Sequence, residues 1–232
     1  MNNNPEKIGI FIPAYNEENS IETVLTNLRE LNKSIPVFII DDGSKDNTRK
    51  IVEPYGFNLI KHPMNLGGGA AIKTAFVLAR KLGFKYVITL DADGQHDPTI
   101  IPQVLEMMHE TNAGLFIGSR FIDPKHVSME KYREIGIKFF SWYSTFLTGQ
   151  RITDVTNCFR IYDMEKVSEI LNEFNEKQYY AIGLVVRLAR RGVQIVEFEV
   201  EDIPRIGGES KKGVLRYLYN LIRIIIMMTF TF

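Results

Sequence analysis

Residues 8–18 read Ile8-Gly9-Ile10-Phe11-Ile12-Pro13-Ala14-Tyr15-Asn16-Glu17-Glu18, a short apolar run that breaks into a polar, acidic segment. Such a run has strand length, and the helix-period segment Ser20–Leu31 followed by a second apolar run, Val37–Ile40, completes a strand–helix–strand unit. Working outward, the rhythm continues with a helix near Asn47–Tyr55, a strand near Phe57–Ile60, a helix near Gly69–Leu82, a strand at Tyr86–Leu90, a helix near Thr99–Thr111 and a strand at Gly114–Ile117. This alternation predicts an α/β chain: a mostly parallel sheet flanked by helices on both faces, Rossmann-like in its first half. The second half is less regular. Lys131–Gly149 reads as an aromatic helix, Asp154–Arg160 as a polar turn, Met164–Phe174 and Ala181–Arg191 as helices, and Gln194–Val200 as a strand.

In open α/β sheets the ligand crevice lies outside the carboxyl ends of the strands. Four predicted strands end in polar sequence: Pro13-Ala14-Tyr15-Asn16-Glu17-Glu18, Asp41-Asp42-Gly43-Ser44, Asp91-Ala92-Asp93-Gly94-Gln95-His96-Asp97 and Gly118-Ser119-Arg120. One rim thus collects acids, an aromatic ring and an arginine.

Composition narrows the possibilities. At 232 residues the chain suits one domain, and 45% hydrophobic with 24% charged residues argues against a disordered or polytopic membrane protein. Lys+Arg and Asp+Glu both total 28, so no general basic surface for nucleic acid is expected. One cysteine, Cys158, cannot close an intramolecular disulfide and reads as a small packing residue; with four histidines it makes no zinc framework. The apolar run after the polar N-terminus is too short for a signal-peptide core, and no window reaches the 18 or so apolar residues of a spanning helix. A cytoplasmic location is expected.

Among local motifs, Asp91 and Asp93 stand out. Two carboxylates at i and i+2 leaving an exposed strand end point to one side and suit a hard divalent cation, Mn²⁺ or Mg²⁺, although a lone D-x-D also occurs in solvated turns. Gly67-Gly68-Gly69 with Lys73-Thr74 fails both the Walker A and the dinucleotide patterns, since each needs glycine at Ile72. What remains is a helix start whose amides face a phosphate or whose glycines permit close packing. Asn19-x-x-Glu22 reads as helix capping.

Taken in order, the segments at 13–18, 41–44, Asn65-Leu66-Gly67, 91–96 and 118–120 resemble glycosyltransferase family 2 on a GT-A fold. Arg133-x-x-Gly136, Asp154–Arg160 and Arg205-x-x-Gly208-x-Ser210-Lys211 are similar to its polyprenyl-phosphate and dolichyl-phosphate branch, which includes dolichyl-phosphate mannose synthase. The resemblance covers nearly the whole chain. It implies that Pro13, Tyr15, Glu17 and Asp42 hold the base and ribose of a nucleoside-diphosphate sugar, GDP- or UDP-linked. It implies further that Asp91, Ala92, Asp93, Arg205 and Lys211 line the rest of the donor, and that Asp91, Asp93 and Gln95 hold a divalent cation. Arg120 and Arg133 would meet the acceptor phosphate, and Asp93, Asp154, Arg120 and Arg133 form the implied catalytic set, with Asp154 as base or orienter. Two positions depart from the pattern: Gly94, where mannose synthases carry a bulkier residue, and Cys158, where a glycine is usual.

The expected activity is inverting transfer of a sugar to a polyprenyl or dolichyl phosphate. A family 2 enzyme acting on a soluble saccharide or protein, and a non-catalytic nucleotide-sugar-binding domain, are the alternatives. Residues 1–205 are expected to form the catalytic domain, and 206–232 an acceptor loop and a membrane-associating helix. From Ser210 onward the chain has four Lys/Arg and no acid, and Ile224–Phe232 is uncharged. Leu215, Leu218, Ile222 and Ile225 share one helical face, so Lys211–Phe232 either packs on its own domain or lies on the cytoplasmic face of a membrane as a peripheral or monotopic anchor. The sequence leaves the oligomeric state open.

Overall fold

Among the described residues seven strands form one sheet in the order β3-β2-β1-β4-β6-β5-β7. They are β1 (Ile8–Ala14), β2 (Val37–Asp41), β3 (Asn58–Lys61), β4 (Tyr86–Thr89), β5 (Leu115–Ser119), β6 (Arg160–Asp163) and β7 (Ile195–Glu199). The helices are α1 (Ile21–Leu31), α2 (Thr48–Val52), α3 (Gly68–Leu82), α4 (Ile101–His109), α5 (Lys131–Thr148), α6 (Met164–Val167) and α7 (Tyr180–Arg190). The computed structural model describes residues 7–31, 35–123, 127–172, 180–206 and residue 225.

The central strands are apolar on both faces because helices cover both. Phe11, Phe38, Ile40, Val87, Leu115, Ile117 and Tyr162 pack with residues of α3, α5 and α7 in one cluster. Ile10, Ile12, Ile39, Ile88, Phe116 and Ile161 pack with α1 and α4 in the other. Phe11 stacks on Phe38 at 4.7 Å between ring centres, and Phe84 meets both rings edge-on.

All neighbouring strands are parallel except β6, which runs antiparallel between β4 and β5 with Arg160 opposite both Thr89 and Ile117. The sequence reading missed β6. Its charged ends, Arg160 and Asp163, leave only Ile161 and Tyr162 as an apolar pair, yet all four residues are buried. The helix expected at Met164–Phe174 is also shorter, ending at Val167 and continuing as a 3-10 turn to Asn172, and Asn19 does not open α1 because Ser20 precedes its first residue.

The topology positions the site. Strands β1, β2, β4 and β5 end on one rim, and β7, parallel to β5, delivers residues 200–206 to it as well. Because β6 is antiparallel it begins there, so the Asp154–Phe159 turn enters from the same side. The strand order reverses between β2-β1 and β1-β4, the switch point where doubly wound sheets bind ligands.

Candidate active site

On the β1–β2 side, the chain turns at Asn16, whose φ is 55°. Ser44 Oγ accepts the Asn16 N–H at 3.0 Å, and Asn16 Oδ1 accepts the Lys45 N–H at 2.8 Å. Asp41, fully buried, pairs with Arg49. Asp42 lies below the surface: it is 2% exposed, and its carboxylate accepts the Leu66 and Gly67 N–H groups at 3.0 and 2.8 Å and faces His62 Nδ1 at 2.8 Å. The amides leading into α3 are therefore met by an internal anion, and Gly68 lets the Tyr180 ring approach to 3.2 Å from where a Cβ would stand. Tyr15, at 38% exposure, and the half-buried Pro13 are the accessible groups on this wall.

The acidic pair is not on an exposed strand tip. Strand β4 stops at Thr89, Ala92 and Asp93 form a turn, and Asp93 is 9% exposed. Ser20 Oγ donates to the Ala92 carbonyl at 2.9 Å, His96 Nδ1 accepts the Asp91 N–H at 3.0 Å, and Asp93 Oδ1 accepts the Gln95 N–H at 3.1 Å. Residues 203–206 cross this turn. The Gln95 side chain donates to the Ile203 carbonyl at 3.1 Å, the Ile206 N–H donates to the Asp93 carbonyl at 3.1 Å, and Arg205 pairs with Glu17 while standing 3.9 Å from Asp93. Gly94 makes the crossing possible. Its φ is +79°, and a Cβ there would lie 2.6 Å from Ile206 Cδ1.

Burial, then the nearby Glu17 charge, pushes the Asp91 carboxyl up to about 6, and burial with the Asp91 charge raises Asp93 as well. Two partly desolvated carboxylates held against each other are relieved by a cation. The donor set, two carboxylates and the Gln95 amide oxygen, is all oxygen and fits Mg²⁺ or Mn²⁺. Among the described residues no group of three or more His, Cys, Asp or Glu forms a metal cage. Burial holds His96 down at about 4, so it stays neutral, and its Nδ1 is already an acceptor for Asp91. Burial, reinforced by Asp91, pushes the Cys158 thiol up to about 12; as an un-ionised thiol it is a packing group.

Across the rim, Arg120 forks onto Asp154 with Nε–Oδ2 at 2.6 Å and Nη2–Oδ1 at 3.0 Å, while Nη1 stands 3.9 Å from Asp202. Asp154 is fully buried and also accepts the Thr156 hydroxyl at 2.9 Å. A carboxylate so committed holds the Arg120 guanidinium in place. The structure thus brings together Glu17, Asp91, Asp93, Gln95 and Arg205 on one side and Arg120 and Asp154 on the other. Arg133 stands exposed on the first turn of α5. Lys211 lies outside the described residues, as do Gly208 and Ser210.

Sequence reasoning missed Glu197, Arg160, Asp202 and His96. Glu197, on β7, accepts the Thr153 and Asp154 N–H groups. Arg160 is 1% exposed and donates to three backbone carbonyls. A charge between two apolar residues of a strand, as Glu197 is between Val196 and Phe198, was the available signal.

Residues 9–171 match the family model described as Glycosyl transferase family 2. A UDP-N-acetylglucosamine–dolichyl-phosphate N-acetylglucosaminyltransferase of Methanococcus voltae is 30% identical over 215 residues, covering 84% of this chain and 85% of that protein. An undecaprenyl-phosphate mannosyltransferase of Micrococcus luteus is 31% identical over 212 residues, covering 86% and 85%. Among solved structures, glucosyl-3-phosphoglycerate synthase from Mycobacterium tuberculosis, in complex with Mn2+, UDP and phosphoglyceric acid, superposes with a TM-score of 0.71 at 15% identity, over 98% of this chain and 78% of that one. The likeness of fold, the order of the rim motifs and the family match over most of the chain agree, and the chain belongs to glycosyl transferase family 2.

Proposed function

We propose that this chain transfers a sugar from a nucleoside diphosphate to a polyprenyl or dolichyl phosphate with inversion at the anomeric carbon. The observation that carries the reading is the two-sided rim: an oxygen-donor acid pair beside Arg205, opposite the buried Arg120–Asp154 fork. The names of the relatives supply the acceptor class.

Asp91, Asp93 and Gln95 would hold the divalent cation, which supplies charge neutralisation for the departing diphosphate. Arg205 leaves Glu17 and Asp93 to meet the donor phosphates, adding positive charge where negative charge develops. Tyr15 and Pro13 offer the base a flat wall, and Asp42 braces that wall from beneath through the Leu66 and Gly67 amides. A phosphomonoester acceptor, with a second pKa of about 6, arrives largely ionised and needs no strong base. Asp154 accordingly orients Arg120, whose Nη1 face meets the acceptor, with Arg133 and Lys211 adding charge.

A lipid-phosphate acceptor puts the enzyme at a membrane face, peripheral and cytoplasmic. Among the described residues no helix is long and apolar enough to cross a bilayer. Of the 207–232 tail only Ile225 is described, and it packs half-buried against the α3, α5 and α7 core. The surface that suits lipid is α5, where Tyr132, Ile135, Phe139, Trp142 and Phe146 are exposed beside Lys131, Arg133 and Lys138.

The test is incubation with labelled GDP- and UDP-sugars, Mn²⁺ or Mg²⁺ and polyprenyl phosphate, followed by organic extraction. Acid-labile label in the organic phase is the expected result. Label only in water-soluble saccharide or protein assigns a soluble acceptor, and donor binding without product assigns a binding domain.

A further inference from the structure

The turn that carries Asp154 is gripped from two sides by opposite charges, Glu197 and Arg160. From β7, the Glu197 carboxylate accepts the Thr153 N–H at 2.8 and 2.9 Å, the Asp154 N–H at 2.9 Å and the Thr153 hydroxyl at 2.8 Å. From the first residue of β6, Arg160 donates to the carbonyls of Val155, Asn157 and Ala181, each at 2.7 Å. One group takes amides at the start of the turn; the other takes carbonyls at its end and ties it to the first turn of α7.

The grip extends to Arg120. Thr153 Oγ1 lies 2.6 Å from Ser119 Oγ, which accepts the Phe121 N–H at 3.2 Å, so the two residues flanking Arg120 hang on the same hydrogen-bonded chain that ends at Glu197. Directions are unambiguous once Glu197 is ionised: Phe121 donates to Ser119, Ser119 to Thr153 and Thr153 to Glu197. Arg160 has no carboxylate within ion-pair distance among the described residues, an unusual state for a buried guanidinium. Such a charge is retained where its fork geometry is needed, here to hold three carbonyls at once.

We propose that Glu197 and Arg160 are positioning residues that clamp the 153–157 turn and thereby fix the Arg120–Asp154 fork at the acceptor end of the site. This deepens the proposed function and rests on it for the identity of the acceptor. Preorganisation of this kind acts on turnover and acceptor recognition, and Glu197, on β7, stands apart from the donor wall built on β1, β2 and β4.

Glu197→Gln keeps size and replaces one acceptor oxygen by an N–H donor among three donors. In the folded variant, turnover is expected to fall about 10- to 100-fold, the scale of a reacting group displaced by about an ångström. The acceptor KM rises, while nucleotide-sugar affinity measured by calorimetry stays within about twofold. Because the effect passes through Arg120, Glu197→Gln adds almost nothing in an Arg120→Ala background, whereas independent effects would multiply. Arg160→Lys, which keeps the charge and loses the fork, gives the same signature. The Arg120 Nε–Hε proton supplies a readout free of any acceptor: a sharp, slowly exchanging NMR signal in the wild type that broadens in both variants. Should Glu197→Gln fail to fold, Thr153→Val removes only the hydroxyl link and is expected to broaden the Arg120 signal and lower turnover several-fold. Wild-type turnover with an unchanged Arg120 signal in a folded variant, or multiplicative losses in the double variant, overturns the clamp. Absence of lipid product from the wild type would sink the acceptor assignment instead, and the Arg120 signal would still decide the clamp.

Discussion

At the scale of single residues, the turn proposed to hold the cation is controlled by protons and by one glycine. The folded-state pKa of Asp91, about 6, lies above its ordinary 3.8, so the folded protein holds that proton more tightly than the unfolded chain. Its ionisation therefore costs stability as pH rises from about 4 through about 6, in full above that window, and a bound cation offsets the cost. Mn²⁺ affinity measured by calorimetry is expected to be flat above pH 7 and to weaken by up to about tenfold per unit below pH 6, where a proton must leave. Affinity unchanged at pH 5 would show that Asp91 is not a ligand. Gly94 is the second control. With φ at +79° and Ile206 in its Cβ space, Gly94→Val forces residues 203–206 off the turn. The expected result is a loss of about 1–3 kcal/mol in urea unfolding, together with weaker donor binding as Arg205 is displaced. Unchanged donor affinity would separate that segment from the donor site.

At the scale of elements, the first half of the chain was legible because each strand is a short apolar run closed by polar sequence and each helix has a clean apolar face. At the rim, Asp91, Asp93 and Arg120 were readable as residues that follow strands, whereas Asp154, in a polar turn, was singled out only by the family resemblance. Strand β6 was hidden because Arg160 and Asp163 spend their charges inward, on carbonyls and on a helix cap, and a charge satisfied internally looks the same in sequence as one in water. Asp42 likewise spends its charge inward, on the amides leading into α3, which its place at a strand end did not reveal. The packing inside these elements is testable. Phe11→Ala empties the centre of the Phe11–Phe38–Phe84 trio and is expected to cost about 3–5 kcal/mol in denaturant unfolding, with donor affinity per folded molecule unchanged. A loss below about 1 kcal/mol would mean the trio closes over the gap.

At the scale of the whole molecule, formal neutrality leaves local patches to choose partners. The α5 stripe joins aromatic rings to Lys131, Arg133 and Lys138 on a single helix, the composition of an interfacial element. Phe146→Glu, at a residue 73% exposed, should leave stability within about 0.5 kcal/mol and reduce flotation with anionic liposomes. Stopping the chain after Gly213 tests the tail's share of that binding separately. Flotation unaffected by Phe146→Glu would take α5 out of the membrane contact.

Trp142, at the centre of that stripe and 62% exposed, is the chain's single tryptophan. The protein therefore carries its own optical depth gauge. In buffer its emission should be red-edged and open to aqueous quenchers; on liposomes it should shift to the blue and be quenched by bromine atoms placed high on the acyl chains, with no label attached and no second indole to confuse the reading.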